Sequence, residues 1–200
     1  MKAKVTAKPD TTKLKRSHNR FLPLLDAAAK LFSSKGYKET TMRDIGAEIV
    51  MQPGSVYYHF KSKQELLVAV YEEAVKRIKS RTKSAIASQD EPWQRLESAV
   101  VAHVEAILDQ TDYARVLVSV LPNKAPELRF ELAAMRDEYE QIFIDLIDEL
   151  PLKKDVNRKL MRLMLMGAMN STQTWFREGE EKPAAIGREL VRYLRYSIEA

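Results

Sequence analysis

The sequence predicts an all-α protein, and three observations support this prediction. Apolar residues make up 45% of the 200 residues, which is enough for a buried core. They recur at spacings of three and four over most of the chain, which is the period of a helix with one buried face. Glycine occurs only six times, and long alternating runs typical of β-strands are absent. We expect about nine helices.

Length and composition exclude several classes of protein. A chain of 200 residues can form one large domain or two small ones. It contains no apolar run of eighteen residues, so we expect no membrane span. The N-terminus has lysines but no apolar segment after them, so we expect no secretory signal. Without cysteine there is no disulfide framework. A cytoplasmic location is the default expectation.

The charge is distributed unevenly along the chain. Residues 1–63 contain 13 Lys and Arg against 5 Asp and Glu, whereas the remaining residues contain 20 against 23. A basic N-terminal part joined to a neutral or acidic remainder is the pattern expected of a protein that binds the phosphate backbone of nucleic acid. The alternative is that the basic residues only improve solubility.

The N-terminal residues 1–17 are polar, rich in lysine and without periodicity, which predicts a disordered basic tail. Lys13, Lys15 and Arg16 could act as a flexible arm on DNA, but an unstructured tail is the favoured interpretation. Proline is tolerated only in the first turn of a helix. We therefore expect the first helix to begin at Phe21 or Pro23 and to end at residue 35.

Residues 41–63 predict two short helices joined by a tight turn, followed by a longer helix. Thr41 and Asp44 have the spacing of a capping box at the start of the first short helix. Pro53 suits the first turn of the second, which we expect to end near residue 59. Ser62 and Glu65 predict the cap of the longer helix. This order is typical of a DNA-binding helix-turn-helix.

The same stretch resembles the TetR family of bacterial transcriptional repressors over about residues 20–75. The matching positions are Thr41, Arg43, Ile45, Gly54, Tyr57, His59, Phe60, Ser62, Lys63, Glu65, Leu66 and Leu67, together with Ala27, Ala28, Leu31, Phe32, Gly36 and Tyr37 upstream.

Two positions in the turn depart from the pattern of that family. The family usually has a small residue and a glycine where this chain has Ile49 and Val50. A β-branched residue resists positive φ, so we expect the turn to be built differently. Gln52 stands where the family usually has a capping serine, and glutamine is a weaker cap.

The resemblance implies a two-part architecture and a function. Residues 18–66 would form a three-helix DNA-binding domain with its motif at about 41–60, and residues 67–200 a helical ligand-binding and dimerisation domain. The last two helices of each subunit would pair into a homodimer. A twofold dimer matches a palindromic operator in double-stranded DNA, with half-sites about 34–36 Å apart or multiples of that. A small-molecule effector would release the repressor.

Ten residues are predicted to contact DNA. Arginine can pair with guanine and glutamine with adenine, while apolar groups can contact a thymine methyl. The residues expected at base edges are Arg43, Gln52, Pro53, Gly54, Ser55 and Tyr57. The residues expected at phosphates are Thr41, Tyr58, His59 and Lys63. Tyr57 could instead belong partly to the core.

Six further helices are predicted by apolar periodicity, spanning residues 63–88, 92–109, 112–121, 127–150, 156–177 and 183–199. The first of these is long enough to join both parts, and in proteins similar to the TetR family it transmits the ligand signal. The helix at 156–177 is apolar almost all round, so it must be buried on more than one side. A partner subunit can cover one side, and Gly167 would permit close approach of another backbone.

An effector pocket should lie among the C-terminal helices and be mostly apolar with few polar groups. The candidate residues are His103, Tyr139, Met166, Asn170, Thr174 and Trp175. The alternative is that they are only core and dimer interface. A short stretch, residues 167–170 followed by 175–176 and Gly179, is also similar to family members that respond to acyl-CoA thioesters in fatty-acid and sterol breakdown.

The sequence leaves two rival functions to compare with this one. An enzyme is disfavoured because the three histidines are scattered and no nucleophile has a base placed beside it. We expect no metal, because ligands are not clustered, and no cofactor. A helical protein-interaction module with only non-specific DNA binding is the other alternative, and the uneven charge argues against it.

Overall fold

The computed structural model describes residues 11–119 and 126–198 and confirms the all-α prediction. Nine α-helices lie within these residues. They are α1 (Thr11–Ser34), α2 (Met42–Glu48), α3 (Pro53–His59), α4 (Lys63–Ile86), α5 (Pro92–Leu108), α6 (Asp112–Ser119), α7 (Arg129–Asp148), α8 (Arg158–Trp175) and α9 (Pro183–Ile198). A short 3₁₀ turn, Pro126–Leu128, precedes α7. Most predicted boundaries agree with these within two residues, and the predicted residues 120–121 of the sixth helix lie outside the described residues.

The first helix departs from the prediction. It begins at Thr11 rather than at Phe21 or Pro23, and Pro23 lies inside it. The prediction of a disordered tail is therefore wrong for residues 11–17, while residues 1–10 lie outside the described residues. An internal proline removes only one helical hydrogen bond, and the lysine, leucine and arginine at 13–16 have high helix propensity. The buried face that follows Pro23 anchors the helix on the core.

The first four helices pack around one N-terminal core. Its buried side chains include Leu24, Ala28, Phe32, Ile45, Val56, Phe60, Leu66 and Leu67. Phe60 closes this core from the end of α3, with its ring centroid 5.5 Å from that of Phe21. Gly46 permits α2 and α3 to approach, because a Cβ there would lie 2.9 Å from a methyl of Val56 and 3.0 Å from the carbonyl oxygen of Met51.

Helix α4 belongs to both parts of the molecule. Its 24 residues form a rod about 36 Å long. Leu66 and Leu67 are buried in the N-terminal core at one end, and Ile78 and Thr82 are buried among the C-terminal helices at the other. This agrees with the predicted role of α4 as the connection between the two parts.

The C-terminal helices surround α5, which buries one side against α4 and another against α9. Gly187 on α9 permits the closest approach, since a Cβ there would lie 2.8 Å from the Cα of Val101. Within residues 11–119 and 126–198, no helix is both long enough and apolar enough to cross a membrane.

Helix α6 connects the C-terminal helices to α1. The hydroxyl of Tyr113 donates to Asp26 at 2.9 Å, and the hydroxyl of Ser33 donates to Asp112 at 2.7 Å. The guanidinium of Arg77 on α4 lies 3.9 Å from the centre of the Tyr113 ring. These contacts fix α6 between the N-terminal core and the remaining helices.

Candidate nucleic-acid interface and effector cavity

The turn between α2 and α3 is built on a strained valine. Val50 has φ +52°, a left-handed conformation that β-branched residues rarely adopt, and its side chain is 91% exposed. Contrary to our expectation, the turn is therefore not built to avoid positive φ at this position. The N–H of Met51 donates to the carbonyl of Gly46 at 2.7 Å, and the Met51 side chain is buried. The burial of Met51 and its hydrogen bond to Gly46 hold the turn in this conformation, and the strained backbone at Val50 persists as a result.

The caps of the helix-turn-helix agree with the sequence. The hydroxyl of Thr41 accepts the N–H of Asp44 at 3.1 Å, and the Asp44 carboxylate accepts the N–H of Thr41 at 3.0 Å. These bonds and the ammonium of Lys35 lower the pKa of Asp44 to about 2, the Lys35 bond contributing most. Gln52 forms no side-chain cap on α3. Its amide is therefore not engaged by the helix that it precedes.

The exposed surface of α3 carries most of the predicted DNA contacts. Val56 is buried beneath the helix, and the opposite side faces solvent. On α3, Gly54, Ser55, Tyr57 and Tyr58 are exposed and His59 is partly exposed, and beside them Gln52 and, at the start of α2, Thr41 and Arg43 are also exposed. Tyr57 is 54% exposed, so about half of it packs on the protein. Pro53 occupies the first position of the helix, and its side chain is outside the described structure. Contact with DNA stays a prediction for this set.

Lys63 differs from the prediction. Its ammonium donates to three carbonyl oxygens in the α1–α2 connection, those of Tyr37, Lys38 and Thr40, at 2.8, 3.1 and 2.9 Å. An ammonium has three N–H donors, so all of them are used within the protein. It also lies 4.5 Å from the centre of the Tyr37 ring. This geometry gives Lys63 a structural role and leaves no N–H of its ammonium unpaired for the predicted phosphate contact.

A cavity of about 320 Å³ lies among α4, α5, α6, α7 and α8. Four of the six predicted effector residues line it, namely His103, Tyr139, Met166 and Asn170. The sides are mainly apolar, supplied by Val75, Ile78, Ile107, Leu117, Val118 and Leu163. A mostly apolar cavity with a few polar groups is the usual form of a small-molecule site.

A chain of buried hydrogen bonds forms one wall of this cavity. His103 Nε2 lies 3.3 Å from Asn170 Oδ1, which can only accept, so Nε2 carries the proton. Burial lowers the pKa of His103 to about 4, so its ring is neutral and Nδ1 accepts from the Tyr139 hydroxyl at 2.9 Å. Tyr139 in turn accepts from Thr82 at 3.0 Å. The chain therefore runs from α4 through α7 and α5 to α8.

Thr174 and Trp175, predicted as effector residues, do not line this cavity. The hydroxyl of Thr174 donates to the carbonyl of Ser171, and Trp175 is 52% exposed. The side of α8 that faces the cavity is formed by residues 163, 166, 170 and 173. Gln173, three residues after Asn170, takes the place that the four-residue spacing gave to Thr174.

The opposite side of α8 is exposed and apolar. It carries Leu160, Met164, Gly167 and Trp175. A Cβ on Gly167 would meet nothing within 4 Å in this chain, so no helix among the described residues needs the glycine.

Five polar residues of the cavity region were not predicted from the sequence: Tyr71, Thr82, Arg136, Glu140 and Gln173. Arg136 had a detectable signal. It follows Leu132 by four residues and precedes Tyr139 by three, and both of these are buried, so it lies on the inward side of α7. Thr82 gave no such signal in the sequence, because a threonine on a long helix is ordinarily solvated.

Comparison with known protein families gives two matches that together span both parts of the chain. The model of tetracyclin repressor-like C-terminal domains matches residues 89–198, which is more than half of the chain. The model of bacterial regulatory proteins of the tetR family matches residues 24–70.

Individual relatives are distant and cover most of the chain. The transcriptional repressor KstR2 of Mycolicibacterium smegmatis is 28% identical, over 63% of this chain and 62% of its own. A solved tetR-family regulatory protein from Rhodococcus RHA1 is 25% identical with a TM-score of 0.70, covering 90% of this chain and 96% of its own. The regulator FadR of Bacillus subtilis, solved with stearoyl-CoA, is 20% identical with a TM-score of 0.75, covering 87% and 97%.

Proposed function

Since the chain belongs to the TetR family of bacterial regulatory proteins, we propose that it is a homodimeric transcriptional repressor whose cavity binds a small effector. The helix-turn-helix binds a palindromic operator, and the effector lowers the affinity for that operator. The observation that carries this proposal is the exposed polar and aromatic surface of α3 on a basic N-terminal part. We propose no catalytic activity, and we propose that the protein acts in the cytoplasm, where its DNA is.

At the DNA, α3 enters the major groove, and the start of α2 lies beside it. Arg43 and Gln52 read base edges through their donors and acceptors. Tyr58 and His59, which lie edge to face with ring centroids 5.5 Å apart, contact phosphates from the far end of α3. The other proposed contacts are Thr41 at a phosphate and Pro53, Gly54, Ser55 and Tyr57 at bases.

The dimer forms through α8 and α9. Both helices carry exposed apolar side chains, and α9 adds the exposed Tyr193 and Tyr196. A partner subunit covering these faces would bury them and would give Gly167 a backbone to approach. Residues 18–66 and 67–200 then act as DNA-binding and effector-binding domains, with their boundary inside α4.

The effector enters the cavity between α4, which both domains share, and α8. We propose an acyl thioester of coenzyme A, because FadR, which shares the fold, was solved with stearoyl-CoA. A ligand shifts a conformational equilibrium only if it binds one state better than the other. The cavity touches both α4 and α6, and these helices contact the N-terminal core. Displacement of either helix changes the separation of the two recognition helices in the dimer.

The proposed function is tested by selecting bound fragments from a random duplex DNA pool at physiological salt. We expect enrichment of a palindrome with two short half-sites. Arg43→Ala should cost about 1–3 kcal/mol at one base pair and relax specificity there.

Salt-sensitive binding without enrichment would overturn the proposal, because phosphate contacts alone bind without sequence preference. The protein would then be a helical interaction module with a basic end. An equal loss for all sequences on Arg43→Ala would instead assign Arg43 to a phosphate.

A further inference from the structure

We propose that the cavity recognises an anionic group on an otherwise apolar acyl compound, and that Arg136 binds this group. The inference deepens the proposed effector function and rests on it. It concerns the chemistry of the ligand and depends on neither the operator nor the dimer.

The buried hydrogen-bond chain leaves a donor at the cavity. Each link of the chain engages one acceptor: Asn170 Oδ1 accepts from His103, His103 Nδ1 from Tyr139, and the Tyr139 oxygen from Thr82. The Asn170 Nδ2 group remains, and it has no hydrogen bond to any residue in the described parts of the chain. Asn170 therefore offers two N–H donors to a ligand.

Arg136 adds a positive charge that the protein does not compensate. It is half-buried on the cavity wall, and it forms no ion pair or hydrogen bond with the residues of 11–119 and 126–198. Glu140 lies one turn further along α7, at the spacing of a helical ion pair. Its carboxylate pairs instead with Arg162 on α8, and both side chains of that pair are mostly buried.

Glu140 also lines the cavity, but its negative charge is matched by that of Arg162. The remaining polar groups do not offset the charge of Arg136. His103 is neutral, and the hydroxyl of Tyr71, whose side chain lines the cavity, has no partner among the described residues. One N–H of Gln173 donates to the backbone carbonyl of Asn170, which leaves its second N–H and its neutral carbonyl oxygen. The cavity thus presents a cation and several donors, an arrangement that favours a carboxylate, phosphate or polarised carbonyl oxygen.

The volume limits which part of a ligand the cavity holds. At about 320 Å³ it lies at the lower end of the usual range of roughly 300–1,000 Å³. Its aliphatic sides suit an acyl chain. The anionic group comes from either a free carboxylate or the phosphates of a coenzyme A ester, and the two sources share the chemistry that Arg136 binds.

The test is calorimetric titration of the full chain, without DNA, with decanoic acid, decanoyl-CoA and decanol. We expect at least one of the two anionic probes to bind about tenfold or more tighter than decanol. Decanoic acid in that role identifies a carboxylate as the group recognised, and decanoyl-CoA alone identifies the coenzyme A ester. Arg136→Gln should remove the preference, because the anionic probes lose much more affinity than decanol does. Arg129→Gln is the matched control, because Arg129 is exposed on the same helix and should keep the preference.

Equal affinity for the three probes, or no binding of any, would overturn the inference. So would an unchanged preference in Arg136→Gln, or an equal loss in Arg129→Gln. Arg136→Lys keeps a charge and should retain part of the preference, so it decides the matter if the glutamine variant unfolds. Because DNA is absent, failure of the operator selection leaves these results standing, and the two hypotheses fail separately.

Discussion

The recognition helix and the effector cavity position their polar groups in opposite ways. Residues on α3 such as Ser55 and Tyr58 point into solvent and are held only through their helix, which Val56 and Phe60 anchor from below. In the cavity, His103 and Tyr139 are buried and are held by each other's hydrogen bonds. A substitution on the exposed surface should therefore change binding with little effect on folding, whereas one in the cavity wall should change both.

The largest effect expected from this contrast lies at Phe60, beneath the recognition helix. Phe60→Ala removes a buried ring and should lower the free energy of unfolding by about 3–5 kcal/mol. Tyr58→Ala, at a residue that is 79% exposed, should change it by less than about 0.5 kcal/mol and still weaken DNA binding. Urea unfolding and DNA titration measure the two quantities. Similar destabilisation by both variants would mean that the exposed surface also supports the fold.

The cavity side of the comparison can be tested with pH. The folded pKa of His103, about 4, lies below its ordinary value of 6.5. Between these values the unfolded chain binds a proton that the folded chain does not, so stability falls as the pH falls through this window. The loss from this group should reach about 3 kcal/mol.

Urea unfolding from pH 7 to pH 4, in wild type and in His103→Asn, isolates this contribution from that of the carboxylates. The variant should show a shallower pH dependence. A parallel pair of curves for wild type and His103→Asn would mean that His103 is protonated in the folded protein.

Lys63 sharpens the comparison. It lies next to the recognition helix, and yet its side chain is fixed by hydrogen bonds within the protein, as those of the cavity residues are. Lys63→Met removes the donor from three carbonyls and should lower the free energy of unfolding by about 1–3 kcal/mol. The dependence of DNA affinity on salt should stay the same, since no phosphate contact is lost. Lys61→Met at an exposed lysine is the control for stability. If the slope of log affinity against log salt concentration falls by about one in Lys63→Met, Lys63 contacts a phosphate after all.

The smallest effect is expected at Val50. Val50→Gly relieves a left-handed conformation at an exposed position, and should raise the free energy of unfolding by about 1 kcal/mol after the entropy cost of glycine. Val50→Ala keeps a Cβ and should gain less. Thermal unfolding of both variants measures the difference. A loss of stability in the glycine variant would show that the valine side chain stabilises the turn.

The helix-turn-helix could be predicted closely because its determinants are local. A capping pair such as Thr41 and Asp44, a proline at the start of α3 and the spacing of two buried anchors act within a few residues of each other. Lys63 escaped this reasoning, because its acceptors lie more than twenty residues earlier in the chain. The left-handed Val50 escaped it because burial of Met51 outweighs the local preference of valine.

The cavity was predicted only in part because it is assembled from five helices. Periodicity gave the buried side of each helix, which was enough for Asn170 and Met166. It could not give the rotation of α8 to within one residue, and that rotation places Gln173 at the cavity and Thr174 in solvent. The start of α1 was missed because a proline that usually ends a helix can be outweighed by the residues around it.

Because α4 is buried in the N-terminal core at Leu66 and among the C-terminal helices at Thr82, neither core is complete without it. A three-helix unit of about fifty residues is also close to the lower size limit for independent folding. The two parts should therefore unfold together, as one cooperative unit. A ligand that binds the folded cavity then stabilises the recognition helix against unfolding by the same free energy. The state released from DNA would be a more tightly folded protein than the state that binds it.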